Sequence, residues 1–266
     1  GPAIRARGLV RRFGAFTAVA GVDFEVARGE AVGLLGANGA GKSTIFRMLC
    51  GLLPPTAGRA EVAGRDVARA GGRARARIGY MAQHFSLYAE LSVRRNLAFF
   101  AAAYGLDRRR RAARIAETME AFGLGPHAAS LAGALPLGLK QRLALAAAVL
   151  HEPDILFLDE PTSGVDPLVR REFWLRINAM AERGVAVLVT THFMEEAEQC
   201  ARVAIVERGR VIATGAPREI AEAHGGAEGS VEAAFVSLVR ARREEEAGAA
   251  ATGAGAPGGG RAEAGA

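Results

Sequence analysis

Cysteine and lysine are scarce in this 266-residue chain: two cysteines, Cys50 and Cys200, and two lysines, Lys42 and Lys140. Cysteines this far apart, with no companion at metal-ligand spacing, exclude a zinc module and a disulfide framework and point to a reducing compartment. Aromatics make up 6% of the residues and tryptophan occurs once. No apolar run approaches the roughly 18 residues that a membrane-spanning helix requires; the longest, residues 143–150, is far too short. The N-terminus lacks the basic-then-apolar order of a signal peptide. Together these absences predict a soluble, cytoplasmic protein.

Half of the residues are hydrophobic, enough for a sizeable core, and the formal net charge is +6. That charge invites a nucleic-acid reading, but it is carried almost wholly by arginine in an Ala-, Gly- and Arg-rich background, which GC-rich coding also produces. Residues 108–111 read as a solvated helix start. A surface close to anionic lipid heads would suit the same charge, and no nucleic-acid partner is expected.

Residues 4–10 and 22–27 read as strands separated by Gly14 and Gly21, followed by buried strands at 31–35 and 78–82. Residues 92–104, 108–122 and 139–150 read as three consecutive helices with no strand between them. Strands return at 155–158, 185–190, 203–207 and 210–214, with helices in the gaps. The pattern predicts an α/β fold: a mixed, mostly parallel core sheet, an N-terminal antiparallel β-subdomain, and an inserted α-helical subdomain over about 84–150. Residues 230–243 suit one more amphipathic helix. One domain is expected to span 1–246, and 247–266, almost only Ala and Gly, to be a disordered tail.

The segment Gly36-Ala37-Asn38-Gly39-Ala40-Gly41-Lys42-Ser43-Thr44 follows one buried strand and opens a helix. Two glycines bracketing four residues, then Lys and Ser, form a phosphate loop. Its glycines let successive N–H groups turn inward around an anion, and the helix N-terminus adds positive partial charge. Lys42 can reach the β- and γ-phosphates of a nucleotide, and the Ser43 hydroxyl can ligate Mg²⁺. The apolar strand before Asp159-Glu160 ends in two acids. Asp159 suits Mg²⁺, and Glu160 suits orienting and deprotonating a water.

Further elements follow in order. Gln83 comes after the 78–82 strand, Leu135-Pro136-Leu137-Gly138-Leu139 lies some 20 residues before Asp159, Ser163-Gly164-Val165-Asp166 follows Glu160, and His192 ends the 185–190 strand. Phosphate loop, Q-loop, signature, Walker B, D-loop and switch histidine in this order resemble the nucleotide-binding domain of an ABC transporter, and the resemblance covers roughly residues 4–240. It implies an ATPase that binds ATP and Mg²⁺, pairs head-to-tail with a second ABC cassette, and docks on membrane permease subunits at the cytoplasmic face of the membrane. It also implies that Phe13 stacks on adenine and that Gln83 contacts Mg²⁺ or the lytic water. His192 would bond the γ-phosphate and position Glu160, and Asp166 would couple the two sites of the dimer.

The signature departs from the family's Leu-Ser-Gly-Gly-Gln. Pro136 replaces the serine that reaches the partner's ATP and has no N–H of its own, and Leu137 replaces a glycine. One of the dimer's two sites is therefore expected to be degenerate. Residues 80–88, 190–198 and 210–217 resemble multidrug-type exporters. The run from 151 to 174 is similar to the second cassette of bacterial exporter ATPases that carry two cassettes in one chain, and the start at Gly1-Pro2 without Met suits a piece cut from such a chain. Two other classes stand beside this reading: a soluble ABC ATPase acting on ribosomes or DNA, and a nucleotide-sensing cassette with little turnover.

Overall fold

The computed structural model describes residues 1–68 and 76–253. The chain divides into two compact units, Gly1–Pro217 and Arg218–Ala266; the cassette end expected at 246 lies inside the second.

In the first unit, β1 (Ile4–Phe13) and β2 (Phe16–Val26) form an antiparallel hairpin. The second strand starts six residues before the sequence pattern placed it. Gly21 does not end the strand: it sits at a register shift between the pairs Leu9–Val22 and Val10–Ala20, with φ +78°, as a bulge. With β4 (Ala57–Val62) and β5 (Arg65–Asp66) the hairpin makes a four-stranded antiparallel sheet, ordered β2-β1-β4-β5.

The second sheet contains β3 (Ala31–Leu35), β6 (Ile78–Met81), β7 (Ile155–Asp159), β8 (Ala186–Thr191), β9 (Arg202–Glu207) and β10 (Arg210–Gly215), in the order β10-β9-β3-β8-β7-β6. All pairs are parallel except β9–β10. Every residue of β3, β7 and β8 is buried, as strands covered on both faces require.

Helix α1 (Lys42–Leu49) is wedged between the sheets. Its Ile45, Phe46, Met48 and Leu49 share one buried cluster with Ile4 and Leu9 of β1, Val62 of β4, and Leu34, Leu188 and Val206 of the parallel sheet. Phe46 meets Phe157 edge-on at 5.5 Å between centroids.

The inserted block contains α2 (Val93–Ala103), α3 (Arg108–Ala121) and α4 (Leu137–Val149). Ser92 and Asp107 cap the first two, their side chains accepting from Arg95 N–H and Arg109 N–H. Fully buried Asn96 accepts from Tyr88 N–H and donates to the carbonyls of Tyr88, Leu91 and Ser92, fixing the approach to α2. Helix α5 (Pro167–Glu182) and the single turn α6 (Met194–Ala197) complete this unit.

The second unit comprises most of α7 (Pro217–His224) and α8 (Val231–Gly253). Helix α8 thus enters the Ala/Gly-rich stretch from 247; residues 254–266 of the expected tail lie outside the described residues.

Two features make stability predictions. A Cβ on Gly79 of β6 would lie 2.3 Å from the Ala148 carbonyl oxygen and 2.9 Å from Leu156 Cδ1. Gly79→Ala therefore overpacks the seam between β6 and α4, at a cost of about 1–3 kcal/mol, and should lower Tm by roughly 2–12 °C. Gly125→Ala, with open space around it, should leave Tm unchanged. Equal Tm values for the two variants in a calorimetric scan would refute the packing account.

Glu196 of α6 is 1% exposed. Burial pushes its carboxyl up to about 7, opposed by Thr191 and Arg170 and reinforced by the Glu160 and Glu195 charges. An acid whose pKa is raised on folding holds its proton more tightly in the native state, so its stabilisation is complete below about 4.5 and lost as pH rises through about 7. Glu196→Gln does not titrate. Relative to the parent it should gain about 1–3 kcal/mol in urea unfolding between pH 5 and pH 8; a pH-independent difference would contradict the raised pKa.

Candidate functional site

In this parallel sheet the chain runs from β3 across β8 and β7 to β6 on one side and through β9 on the other. The carboxyl end of β3 therefore lies where the winding reverses, the usual ligand position of such sheets. Residues 36–44 leave β3 at that point, and the loops after β7 and β8 leave beside it.

The loop's backbone is tightly set. Gly41, with φ +104°, precedes α1, and a Cβ there would come within 2.8 Å of the Ala18 carbonyl of β2. A Cβ on Gly36 would come within 2.4 Å of the Val206 carbonyl. Gly39 faces open space with φ +81°. Lys42 is 4% exposed. Its ammonium donates to the carbonyls of Gly36 at 2.6 Å and Ala37 at 2.9 Å, holding the loop curled around its own side chain. Burial lowers the Lys42 pKa, and the Glu160 and Asp159 carboxylates partly offset it. Ser43 and Thr44 are half-buried at the start of α1, and Asn38 is exposed.

Asp159 ends β7 opposite Thr190 of β8. The Thr190 hydroxyl donates to Asp159 Oδ1, and among the described residues no hydrogen bond reaches Oδ2. Burial raises the Asp159 pKa, the Thr190 bond opposes it, and Glu160 adds to it. Glu160 adopts φ +46°, unusual for a side-chain-bearing residue. Its N–H is held by Thr190 through both Oγ1 (3.0 Å) and the carbonyl (3.1 Å).

The Glu160 carboxylate is engaged on one oxygen. Gln83 Nε2 donates to Oε2 at 2.9 Å, and His192 Nδ1 lies 3.3 Å from the same atom, without hydrogen-bond alignment. No hydrogen bond reaches Oε1 among the described residues. Gln83, Glu160 and His192, far apart in sequence, thus meet at one carboxylate within electrostatic reach of Lys42.

Other expected residues stand apart from this group. Phe13, 48% exposed at the hairpin tip, has the Arg11 guanidinium 4.6 Å from its ring centre. Asp166 caps α5, its Oδ1 accepting from Leu168 N–H and Val169 N–H, both at 3.1 Å. Pro136 holds the N-cap position of α4 without a side-chain cap bond. Leu137 is 43% exposed, and its Cδ2 lies 3.3 Å from where a Cβ on Gly164 would be. Gly138 packs toward Val169, and Leu135 is buried. No hydrogen bond among the described residues joins residues 135–138 to the phosphate loop.

A cavity of about 900 Å³ opens elsewhere, lined by Thr118, Phe122, Asp154, Leu175, Arg176 and Met180 among others, with no phosphate-loop residue in its wall. The phosphate site is an open cradle instead. Sequence reasoning missed Thr190, Asn96 and the Thr162–Glu196–Thr191 group; only the polar Thr190-Thr191 pair closing an apolar strand gave any signal.

The donor set suits Mg²⁺: a carboxylate, a hydroxyl and an amide are hard oxygen ligands. Asp159 with its unengaged Oδ2, Ser43 and Gln83 are the residues that would hold it.

The ABC transporter family matches residues 19–163. The probable multidrug ABC transporter ATP-binding protein YbhF of Escherichia coli is 55% identical over 239 residues, covering 89% of this chain and 41% of that protein. The daunorubicin resistance ATP-binding protein DrrA3 of Streptomyces coeruleorubidus is 44% identical over 225 residues, covering 84% and 71%. This chain thus spans less than half the length of YbhF and nearly three quarters of DrrA3. A solved ATP-binding subunit of an ABC transporter superposes with a TM-score of 0.80 at 32% identity, covering 89% of this chain and 99% of its own. The cbiO1 component of the Clostridium perfringens cbiONQ complex gives 0.76 at 29%, covering 82% and 90%. With its two sheets, inserted helices and phosphate loop, the chain belongs to the ABC transporter ATP-binding family, whose members are ATPases coupled to transport.

Proposed function

We propose that this chain binds and hydrolyses MgATP to drive a multidrug-type exporter, working as a peripheral subunit on the cytoplasmic face of the membrane. The observation that carries the reading is the Glu160 carboxylate, bonded on Oε2 by Gln83, with His192 Nδ1 3.3 Å from the same atom and Oε1 unengaged among the described residues. The names of the relatives, multidrug and daunorubicin-resistance ATP-binding proteins, support the export branch. No described helix is long and apolar enough to cross a membrane, and membrane permease subunits are the partners of this reading.

ATP enters with its adenine against Phe13 and its phosphates over residues 36–44. Lys42 exchanges its two carbonyl partners for the β- and γ-phosphate oxygens, a stronger charge-assisted pairing. Mg²⁺, which Asp159, Ser43 and Gln83 would hold, would supply positive charge to offset that of the phosphates. Glu160 Oε1 accepts the proton of the attacking water as the water oxygen bonds to the γ-phosphorus and the bond from that phosphorus to the β–γ bridging oxygen breaks, so that ADP leaves with the bond's electron pair. His192 and Gln83 keep the carboxylate turned toward that water, and His192 donates to the γ-phosphate.

For partners, the exposed aromatics Tyr88 and Phe99, in edge-on contact at 4.6 Å, offer an apolar docking surface. Asn96 fixes Tyr88 from behind, and the segment leads back to Gln83. Movement of a docked permease element would therefore be felt at Glu160.

Two variants test the hydrolytic reading. Lys42→Ala should weaken ATP binding at least tenfold by calorimetry without unfolding the chain. Glu160→Gln keeps the Gln83 contact but removes the base, so turnover should fall about 100-fold or more while ATP binding persists. Near-normal turnover in Glu160→Gln would overturn the assignment.

Paired with a sister cassette that carries a normal signature, the chain would form a dimer with two unequal sites. Pro136 can supply neither hydroxyl nor N–H to a facing phosphate, a loss of about 1.5–3 kcal/mol for a bond to a charged group, or tenfold and more in rate. Paired with itself, the chain should turn over slowly, and the double variant Pro136→Ser, Leu137→Gly should raise steady-state turnover about tenfold. Brisk turnover in the parent with no gain in the variant would show the signature to be competent as it stands.

A further inference from the structure

Glu196 has no part in the mechanism above, yet it occupies the junction of the two segments that carry it. The Thr162 hydroxyl donates to Glu196 Oε1 and the Thr191 hydroxyl to Oε2. Thr162 and Thr191 are fully buried, and Glu196 nearly so. Thr162 lies two residues after Glu160, and Thr191 directly precedes His192. The carboxylate is therefore a strap between the backbone segments whose neighbouring side chains meet at 3.3 Å.

Arg170 of α5 extends the group. It donates to Glu195 Oε2 at 2.9 Å and to the Val165 carbonyl at 3.4 Å, its Nε stands 3.7 Å from Glu196 Oε1, and its guanidinium lies 4.6 Å from the Phe193 ring centre. The turn from Glu160 to Asp166 and the loop after β8 thus share one buried polar node. A buried carboxylate is an expensive way to fill space, whereas two directional bonds fix the separation of two loops.

We propose that Glu196 is a positioning residue of the hydrolytic site, setting His192 against Glu160 by bridging Thr162 and Thr191 and, through Arg170, linking both to the turn that carries Asp166. The inference rests on the reading of Glu160 as the base. Without the strap the loops relax by fractions of an ångström, enough to misplace a base without disturbing the phosphate cradle.

The test is ATPase kinetics on the full chain. Glu196→Ala should lower kcat about 10–100-fold with KM for ATP within about threefold, since Lys42 and its loop are untouched. Glu196→Gln, able to accept from one threonine and donate to the other, should retain at least about half of kcat at neutral pH. Thr162→Val, which removes one bond at nearly constant volume, should cost about 3–10-fold and serves if Glu196→Ala does not fold. In a His192→Ala background, Glu196→Ala should cost less than about twofold more, because its effect passes through His192. A kcat within twofold of the parent in both Glu196→Ala and Thr162→Val would overturn the proposal, as would a full undiminished loss on the His192→Ala background. If those results came with an inactive Glu160→Gln, only the strap would be lost. Absence of turnover in the parent would overturn the strap and the hydrolytic reading together.

Discussion

Asp159 faces Thr190 across the parallel ladder of β7 and β8, and the candidate site follows from that register. Side chains alternate faces along a strand, so a slip of one residue would turn Thr190 away from the acid it serves. In register, Thr190 fastens both Asp159 and the Glu160 backbone, while its neighbour Thr191, on the opposite face, fastens Glu196. Two adjacent hydroxyls at one strand end thereby fix two loops on two sides. The backbone strain at Glu160 is tolerable because both of its Thr190 partners come from a strand buried along its whole length.

The second constraint is the wedge of α1 between the sheets. The helix that presents Ser43 and Thr44 also carries Ile45, Phe46, Met48 and Leu49 into the shared core. The antiparallel sheet brings Phe13 to the rim and packs Ala18 against Gly41. The candidate base site and the phosphate cradle are thus set by the hydrophobic contacts that join the two sheets, with no separate scaffold. The cost falls on the ammonium of Lys42, buried among carbonyls and carboxylates.

The fold class was legible because its signals are local: apolar strands of four to six residues, periodic helices, and a phosphate loop contiguous in the chain. The three inserted helices appear within two residues of their expected bounds, two of them starting after the caps Ser92 and Asp107. Gly21 misled because a glycine in a strand reads as an end and here is a bulge. The run Glu195-Glu196-Ala197-Glu198 reads as a solvated helix face. Only the return of the chain 34 positions away, with Thr162, shows that its second acid is interior. Asp166 is a local helix cap within the chain, and nothing in its sequence neighbourhood separates that duty from one toward a partner.

The scarcity of lysine has a chemical consequence. With Lys42 buried and held by two carbonyls, Lys140 is the accessible side-chain amine of the whole chain. It lies one turn into α4, three residues from Leu137, with its ammonium 5.7 Å from the Phe85 ring centre. Amine-selective acylation is therefore confined to an N-terminal α-amine and this one accessible side chain, which lies beside the altered signature and the segment that follows Gln83. A fluorophore attached there would sit where the helical block and the Gln83 segment meet, reporting their relative movement from a chain that needs no engineered attachment point.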